Sequence, residues 1–456
     1  MDKALEYVLK RGVAEIIVEE EMVRLLESGK KLKLKMGFDP SRPDIHLGHV
    51  VGMRKLRQFQ DLGHQVVLIV GDWTAQIGDP SGESQTRPML SAEEVRANAE
   101  TYKKQFFKVV DREKTELRWQ SEWFGKFTLA DVIELTSKFT VAQLLAREDF
   151  SNRHASGRPI AITELLYPLL QAYDSIAIEA DVEFGGIDQK FNCLMGRELQ
   201  KMVGQPPQQV FLMPLLVGTD GQQKMSKSLD NYIAIDEPAY YTDRLTGERK
   251  GMYGSVMSIP DSLIMDYFEL LTDVDDQMLN EYRKMLSDNS KNPMEIKKFL
   301  AWEIVRQFHS TEAADEAQKY FEKDVQWKEV PEDIVEHMIS FQALGELQKE
   351  ILIRKGKLSA ETAGEVSCED MGTLAWTVPI IGTANVKYIK PSIGEFLHLS
   401  GLVQSRAEAK RMVNQKAVEL DGVRIVSFDE TRPINDGSII RIGKRKWKRI
   451  VNKDAK

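Results

Sequence analysis

Two short motifs bring together side chains that could bind a nucleoside triphosphate. The first, Pro40-Ser-Arg-Pro-Asp-Ile-His-Leu-Gly-His49, contains two imidazoles three residues apart. The second, Lys224-Met-Ser-Lys-Ser228, is a basic stretch with two hydroxyls. If a helix starts with Asp44 as its N-cap, its first turn offers backbone N–H groups and a favourable dipole to an anion, with His46 and His49 on one face. The pair of motifs predicts a site where the α-phosphate of the triphosphate is attacked.

Each motif also has an ordinary structural explanation. A lone histidine is usually a surface or core residue, and a basic stretch with hydroxyls is usually a solvated loop. The chain has only 7 His, and two of them flank Gly48, which leaves room for a ligand against the backbone. A metal site at His46 and His49 is disfavoured because no Cys and no HExxH pattern accompanies them.

The pattern around the first motif predicts a strand followed by a helix. Residues 1–30 are expected to be helical, and charged and apolar residues then alternate over residues 31–38, which indicates a strand ending at Gly37. The helix after it carries apolar residues near helical spacing, with Gly63 as a C-cap; these residues are Val50, Met53, Leu56, Phe59 and Leu62. Residues 31–230 continue to alternate apolar runs with helical stretches, typical of a parallel sheet covered by helices, in which ligands bind beyond the carboxyl ends of the strands.

A second helical run carries polar side chains on one face. Tyr167, Gln171 and Asp174 lie at i, i+4 and i+7, while the leucines between them occupy other positions and could pack the helix down. A phenol, an amide and a carboxylate on one face are unusual for a core. The face is therefore either a polar surface or the wall of a pocket.

The two motifs resemble the HIGH and KMSKS signatures of class I aminoacyl-tRNA synthetases. Three further stretches make the chain similar to the bacterial-type tyrosyl-tRNA synthetases: Thr74-Ala-Gln-Ile-Gly-Asp-Pro-Ser-Gly82, Tyr167-Pro-Leu-Leu-Gln-Ala-Tyr-Asp174 and Phe184-Gly-Gly-Ile-Asp-Gln189. The resemblance extends over nearly the whole chain. It implies that tyrosine and ATP form tyrosyl-adenylate and pyrophosphate, and that the tyrosyl group then passes to the 3′ end of tRNA(Tyr).

The resemblance also implies roles for individual residues. It assigns catalysis to His46, His49, Lys224 and Lys227. It assigns ATP binding to Ser41, His46, Gly48, His49, Gly186, Asp188, Lys224 and Lys227. It assigns tyrosine binding to Gly37, Asp39, Thr74, Asp79, Tyr167, Gln171, Asp174 and Gln189, with Asp174 at the phenol hydroxyl and Tyr167, Gln171 and Asp79 at the α-ammonium group. It implies Mg²⁺ bound with ATP, no tightly bound metal or organic cofactor, and a homodimer.

The chain departs from the family pattern at three places. Many members carry a tyrosine that contacts the substrate hydroxyl two residues before Gly37, where this chain has Lys35. The partner of Asp174 at the phenol is therefore left open. Ser41 stands where a threonine is common, which keeps the hydroxyl. The stretch from Tyr240 to Gly251 resembles a short insertion.

Composition bounds the class of protein. The chain of 456 residues has a net charge of −8, 42% hydrophobic residues and 2 Cys, which predicts several domains and neither a disulfide framework nor a zinc site. No apolar run of membrane-spanning length and no signal-like start are found, so we expect a soluble, cytoplasmic protein with no membrane or DNA partner.

The charge is distributed unevenly and suggests an RNA-facing end. Residues 391–456 carry 14 Lys and Arg against 8 Asp and Glu. This region resembles a small RNA-binding module of a ribosomal protein, with cationic residues on a helix and on a strand-like run; they are Arg406, Lys410, Arg411, Lys444, Arg445 and Lys446. We predict a Rossmann-like α/β catalytic domain (1–230), a helical anticodon-side domain (231–355), a linker or variable segment (356–390) and an α+β RNA-binding module (391–456).

Three other functions remain open at this point. Tryptophanyl-tRNA synthetases share both nucleotide motifs, although Asp174 and the basic end favour tyrosine. A small adenylyltransferase would share the His-x-Gly-His segment without the Tyr167–Asp174 helix. A catalytically silent RNA-binding paralogue is the alternative from a different class, and the intact histidines and lysines of the motifs argue against it.

Overall fold

The computed structural model describes residues 3–81, 89–242, 249–323, 334–354, 376–377, 388–443 and 446–455. The chain forms two compact units: the first comprises Met1–Ala239 with Met252–Ala314, and the second comprises Tyr240–Gly251 with Asp315–Lys456. The predicted boundary after residue 230 lies inside the first unit, and the four-part division of the chain stays a prediction. Most of the predicted linker at 356–390 lies outside the described residues.

The first unit is a parallel sheet with helices on its faces. Its strands are β1 (Glu15–Ile17), β2 (Lys33–Phe38), β3 (Gln65–Val70), β4 (Thr115–Trp119), β5 (Val182–Gly186) and β6 (Gln209–Met213). They are ordered β1-β6-β5-β2-β3-β4, and every pair is parallel except β1 with β6. The Rossmann-like prediction is thus confirmed.

Helices connect these strands and continue beyond the last one. Before β5 they are α1 (Lys3–Lys10), α2 (Glu19–Glu27), α3 (Leu47–Asp61), α4 (Thr74–Ile77), α5 (Ala92–Phe106), α6 (Ser121–Phe124), α7 (Leu129–Ser137), α8 (Val141–Leu145), α9 (Glu148–Ala155) and α10 (Ile162–Ile178). After β5 they are α11 (Lys190–Met202), α12 (Met252–Met257), α13 (Ile264–Leu271), α14 (Asp276–Ser287), α15 (Pro293–Phe308) and α16 (Thr311–Phe321), with short 3₁₀ helices at Ile187–Gln189 and Asp261–Leu263. The prediction that residues 1–30 are helical missed β1, which is short and lies on the edge of the sheet.

The sheet reverses its strand order at β2, and this places the ligand site. From β2 the chain continues to β3 on one side, whereas β5 pairs with β2 on the other. In a parallel sheet such a switch point leaves a crevice at the carboxyl ends of the strands. The side chains that follow β2 and β5 therefore meet at this edge.

Within the described residues, the second unit holds three small sheets, one of them the two-stranded pair of Tyr241–Thr242 with Arg249–Lys250, and the basic end of the chain. Its elements are β7 (Tyr241–Thr242), β8 (Arg249–Lys250), β9 (Val335–Ile339), α17 (Phe341–Arg354), β10 (Trp376–Thr377), β11 (Tyr388–Pro391), α18 (Ile393–Leu399), α19 (Arg406–Asn414), β12 (Val418–Leu420), β13 (Val423–Arg424), β14 (Ile434–Asn435), β15 (Ile439–Ile442) and β16 (Lys446–Asn452), followed by a 3₁₀ turn at Lys453–Ala455. One sheet has the order β13-β12-β15-β16-β9 and another the order β10-β11-β14. Helices α18 and α19 share their apolar core with these strands, which confirms a C-terminal module of mixed helices and strands.

The helices of residues 3–81, 89–242, 249–323, 334–354 and 388–443 were compared with the requirements of a membrane span. No helix there has both the length and the apolar character needed to cross a bilayer.

Candidate active site

A cavity of about 310 Å³ opens at the carboxyl edge of the first unit's sheet. All residues predicted to bind ATP or tyrosine line it: Gly37, Asp39, Ser41, His46, Gly48, His49, Thr74, Asp79, Tyr167, Gln171, Asp174, Gly186, Asp188, Gln189, Lys224 and Lys227. The structure therefore brings together segments that are far apart in the sequence. Their individual roles stay predictions.

The two histidines stack at the start of α3, with ring centroids 3.8 Å apart. The helix begins at Leu47 with His46 as N-cap, so the prediction of Asp44 as N-cap is wrong. Tertiary contacts explain the shift, because Ile45 N–H donates to Gln105 Oε1 and His46 forms a β-bridge with Ala234. These contacts hold residues 45 and 46 extended until the helix can start.

The protonation of both histidines follows from their surroundings. Burial lowers the pKa of His46 to about 3 and the pKa of His49 well below its usual range, with the charge of Lys227 acting in the same direction. Both rings are therefore neutral near pH 7. His49 Nδ1 accepts the N–H of His46 at 3.2 Å, so the ring proton of His49 lies on Nε2 as a donor. His46 Nδ1 is buried and has no partner within the described structure.

Gly48 lies close to the ring of His46 and to Met225 of the second motif. A Cβ at this position would lie 3.0 Å from both Cε1 and Nδ1 of His46, and 3.5 Å from Cβ of Met225. The small residue thus lets the second motif pack directly on the first. The Gly48 N–H also donates to Met225 Sδ at 3.3 Å.

Asp174 is buried and accepts two hydrogen bonds that the sequence did not reveal. Gln120 Nε2 donates to Oδ2 at 2.9 Å, and Trp123 Nε1 donates to Oδ1 at 3.1 Å. Burial raises the pKa of Asp174 to about 7, and the charge of Lys35 opposes that rise. The carboxylate is therefore held by neutral donors and keeps lone pairs for a hydroxyl in the cavity.

A second buried carboxylate, Asp39, orients the phenol of Tyr167. Tyr167 Oη donates to Asp39 Oδ2 at 2.8 Å, and Thr74 Oγ1 donates to Oδ1 at 2.7 Å. Because its proton is used in this way, the Tyr167 oxygen presents only lone pairs to other groups. Burial raises the pKa of Asp39 to about 7. Gly71 makes the contact possible, since a Cβ there would lie 2.2 Å from Asp39 Oδ1.

Asp79 and Gln189 lie together on another wall of the cavity. Gln189 Nε2 donates to Asp79 Oδ2 at 2.7 Å, and the N–H of Ser81 donates to Oδ1 at 2.8 Å. Arg147, a buried residue missing from the sequence prediction, lies 3.6 Å from Asp79 and also donates to Ser81 Oγ. The Asp79 carboxylate thus shares the cavity with the Gln171 amide and the Tyr167 phenol, whose oxygens are acceptors of the kind that suits an ammonium group.

Both lysines of the second motif are engaged by the protein. Lys224 Nζ pairs with Asp188 Oδ2 at 2.7 Å. Lys227 is buried, its ammonium contacts Tyr102 Oη and lies 4.9 Å from the centroid of that ring, and Arg42 donates to its backbone oxygen at 2.8 Å. Burial lowers the pKa of Lys227 to about 8, so it is mostly a cation at pH 7.

Lys35 lies between the sheet and α10, fully buried. Its ammonium donates to Glu183 Oε1 at 2.9 Å, to Ser175 Oγ at 2.8 Å and to the backbone oxygen of Gln171 at 2.8 Å. Lys35 therefore forms an ion pair with Glu183 beneath α10. The hydrogen bonds to Asp174 come instead from Gln120 and Trp123.

Sequence reasoning missed the residues that hold the predicted ones in place. They are Arg42, Tyr102, Gln120, Trp123, Arg147, Glu183 and Asn192. Only Gln120 had a usable signal, because it directly follows β4 and therefore lies at the carboxyl edge of the sheet.

The predicted RNA-binding residues of the second unit differ in exposure. Arg406, Lys410 and Arg411 are exposed on α19, and Arg406 pairs with Glu395 at 2.7 Å. Lys446 is half-buried and donates to the backbone oxygen of Leu402, while Lys444 and Arg445 lie outside the described residues. The cationic surface that the structure describes is thus the α19 face.

The chain is similar to well-characterised proteins over almost all of its length. The family model described as tRNA synthetases class I (W and Y) matches residues 27–326. A protein of Dehalococcoides mccartyi (strain CBDB1) named tyrosine–tRNA ligase is 50% identical over 450 residues, with 99% of each chain covered. One of Thermotoga maritima with the same name is 44% identical over 449 residues, with 98% of each covered.

A solved structure gives the same fold. The crystal structure of tyrosyl-tRNA synthetase complexed with L-tyrosine from Archaeoglobus fulgidus matches with a TM-score of 0.55 at 22% identity, over 70% of this chain and 100% of that one.

Proposed function

Because the chain belongs to the class I tRNA synthetases of the tryptophan and tyrosine group, we propose that it is a tyrosine–tRNA ligase. It activates L-tyrosine with ATP and transfers the tyrosyl group to the 3′ end of tRNA(Tyr) for translation. The observation that carries the proposal is that one cavity is lined both by Asp174 and by the two phosphate-binding motifs. Asp174 is a buried acceptor for a phenol hydroxyl.

The amino-acid end of the cavity fits tyrosine at both of its polar ends. Asp174 accepts the phenol hydroxyl, since its two protein donors leave lone pairs free on a carboxylate. Tyr167, Gln171 and Asp79 receive the α-ammonium group. Phenylalanine would leave Asp174 buried without its hydroxyl partner, and this unpaired group opposes its binding.

At the nucleotide end, the reaction needs positioning and charge stabilisation. A carboxylate oxygen of tyrosine forms a bond to the α-phosphorus, and the bond to the β-phosphate oxygen breaks to release pyrophosphate. Beside the N-terminus of α3, both histidines contact the nucleotide as neutral groups. His49 does so through Nε2–H, and His46 through its unpartnered Nδ1 or through its other ring nitrogen. Ser41 assists there, and Gly186 and Asp188 lie at the ribose.

The two lysines supply the positive charge. Lys224 and Lys227 leave their partners Asp188 and Tyr102 to hold the pyrophosphate as it departs. Lys227 thereby exchanges a neutral phenol for a charged phosphate, whereas Lys224 exchanges one ion pair, with Asp188, for another.

Mg²⁺ bound with ATP would neutralise phosphate charge in the transition state. Among the described residues, no cluster of three or more His, Cys, Asp or Glu side chains could hold a metal ion. An ion that arrives with a nucleotide keeps several waters and needs only one or two carboxylates beside the phosphates.

A homodimer is also part of the proposal, and an apolar surface of the first unit supports it. Helices α7, α8 and α10 pack together through one face. Elsewhere on them, large apolar side chains are exposed: Leu129, Ile133, Val141 and Ile162. Large apolar side chains exposed on helices that pack together are candidates for an association surface. Ile133→Asp combined with Ile162→Asp should therefore give a monomer in sedimentation velocity, and a dimer persisting in the variant would contradict this assignment.

A tRNA substrate implies an RNA-binding surface on the protein and a cytoplasmic location. Exposed Lys410 and Arg411 on α19 provide phosphate contacts for RNA. The protein acts in the cytoplasm, where tRNA and translation are found.

Amino-acid-dependent exchange of pyrophosphate into ATP tests the proposal directly. Tyrosine, tryptophan and phenylalanine are compared in parallel with the full chain. Exchange with tyrosine alone is the expected result. Exchange with tryptophan would move the chain to the neighbouring specificity, and no exchange from folded protein would favour the silent RNA-binding paralogue.

A further inference from the structure

Lys35 and Glu183 form an ion pair that is completely buried beneath α10. They are opposite residues on the adjacent parallel strands β2 and β5, and their side chains are 0% and 1% exposed. Such a pair contributes little net stability, because well-packed apolar residues in its place are often equally stable. Because the pair contacts residues of the pocket, we look for a role other than stabilising the fold.

The pair dictates which way the side-chain amide of Gln171 faces. Lysine can only donate hydrogen bonds, so the Glu183 carboxylate is held as an acceptor. Glu183 Oε1 also receives Gln171 Nε2 at 3.1 Å. The amide nitrogen of Gln171 must therefore face Glu183, and its carbonyl oxygen must face the other way.

A second buried cation fixes the same amide from the opposite side. Arg147, which also can only donate, contacts Asn192 Oδ1 at 3.1 Å. Asn192 Nδ2 then donates to the carbonyl oxygens of Gln171 at 3.0 Å and of Gln189 at 3.1 Å. The direction of every hydrogen bond in this chain follows from the two cations at its ends.

The consequence for the pocket is electrostatic. Gln171 lines the cavity, and its carbonyl oxygen retains a second lone pair after the bond from Asn192. In the reversed orientation an NH₂ group would take the place of this oxygen and repel an ammonium group. We propose that the Lys35–Glu183 pair is a positioning element that fixes the Gln171 amide and so makes the pocket select the α-ammonium group. This inference rests on the proposed assignment of the cavity to tyrosine.

The test compares two ligands that differ only at the ammonium group. Dissociation constants of tyrosine and of 3-(4-hydroxyphenyl)propanoate are measured by calorimetry on the full chain. In Lys35→Met with Glu183→Leu, which leaves no lone buried charge, the preference for tyrosine should fall by about 10- to 100-fold, the range of one hydrogen bond to a charged group. The preference for tyrosine over phenylalanine should change much less. An unchanged ammonium preference in this variant, folded by circular dichroism, would overturn the inference.

Two further variants keep the test decisive. Lys35→Met with Glu183→Gln nearly preserves volume, leaves no buried charge and no longer forces an acceptor toward Gln171, so it should lower the ammonium preference even if the first double variant does not fold; an unchanged preference here also counts against the inference. Lys33→Met, on the same strand but with a side chain 42% exposed, is the matched control and should leave the preference unaltered.

Gln171→Ala distinguishes a failure of the positioning role from a failure of the assignment of Gln171 to the ammonium group. If it lowers the ammonium preference while neither pair variant does, only the positioning role fails. If it leaves the preference unaltered, the assignment of Gln171 to the ammonium group fails, and the inference fails with it.

Discussion

At the scale of single residues, burial decides what each side chain of the cavity can do. The two histidines of the first motif are held neutral, and the proton of His49 is placed on Nε2 by a backbone N–H. Asp174 is held by two neutral donors and has a raised pKa. These states follow from neighbours that the motifs themselves do not contain.

Removing the phenol acceptor should reduce both tyrosine affinity and selectivity. In Asp174→Ala, tyrosine binding is expected to weaken by about 10- to 100-fold, because a hydrogen bond to a charged group is removed. The preference over phenylalanine should fall with it, as measured by pyrophosphate exchange. Asp174→Asn keeps the shape of the site and serves as the comparison. Unchanged discrimination in the alanine variant would place Asp174 outside the pocket.

The raised pKa of Asp174 predicts a pH dependence of selectivity. The carboxyl is protonated below its pKa of about 7, and the proton then occupies a lone pair that the phenol needs. The preference for tyrosine over phenylalanine should therefore decline as the pH falls from 8 to 6. Asp39 also has a pKa of about 7, but it acts through Tyr167 at the ammonium end and affects both ligands alike. A preference in Asp174→Asn that still declines with falling pH would contradict the assignment.

At the scale of elements, the start of α3 and the loop at 224–228 act as one unit. A side chain at Gly48 would press on the ring of His46, and the Gly48 N–H donates to Met225 Sδ of the loop. Lys227 lies against Tyr102 of α5 and beside Arg42, which precedes α3. The phosphate-binding end of the cavity is thus assembled from three segments that hold one another in position.

Loss of the second lysine should affect chemistry more than amino-acid binding. Lys227→Ala is expected to slow adenylate formation in single-turnover experiments, because charge on the departing pyrophosphate is left without a partner. Tyrosine affinity should stay near that of the unaltered protein, since Lys227 lies at the nucleotide end. Lys201→Ala, an exposed lysine of α11, is the control. A collapse of tyrosine affinity in folded Lys227→Ala would refute this role.

At the scale of the whole molecule, charge is distributed unevenly along the chain. The chain is acidic overall, yet its last 66 residues carry the excess of Lys and Arg. In the proposed function, the exposed cations on α19 would contact RNA, whereas Arg406 is already paired with Glu395. We accordingly propose that the first unit performs activation and the second contributes RNA affinity.

Neutralising the α19 surface should weaken tRNA binding without affecting activation. In Lys410→Ala with Arg411→Ala, the dependence of log affinity on log salt should become shallower by about one for each RNA phosphate that the protein no longer neutralises. Arg406→Ala should have a smaller effect because its charge is already compensated. Pyrophosphate exchange, which needs no tRNA, is the internal control. Unaltered tRNA affinity at several salt concentrations would remove α19 from the RNA surface.

Local patterns were sufficient for the elements around the motifs. Alternation predicted a strand ending at Gly37, and β2 extends one residue further to Phe38. The apolar residues of α3 are buried as far as Phe59, while Leu62, at the C-cap, is 36% exposed. The helix start was placed too early because Gln105 and Ala234, distant in sequence, keep residues 45 and 46 extended.

By itself, the sequence determined the class of fold, which depends on local periodicity, and its resemblance to a known family implied the residues that line the cavity. Only the tertiary structure decided how those residues are held. Gln120 reaches Asp174 across 54 positions, and Lys35 reaches Glu183 across 148. Protonation states and hydrogen-bond directions depend on such long-range burial and pairing, which no local pattern of residues encodes.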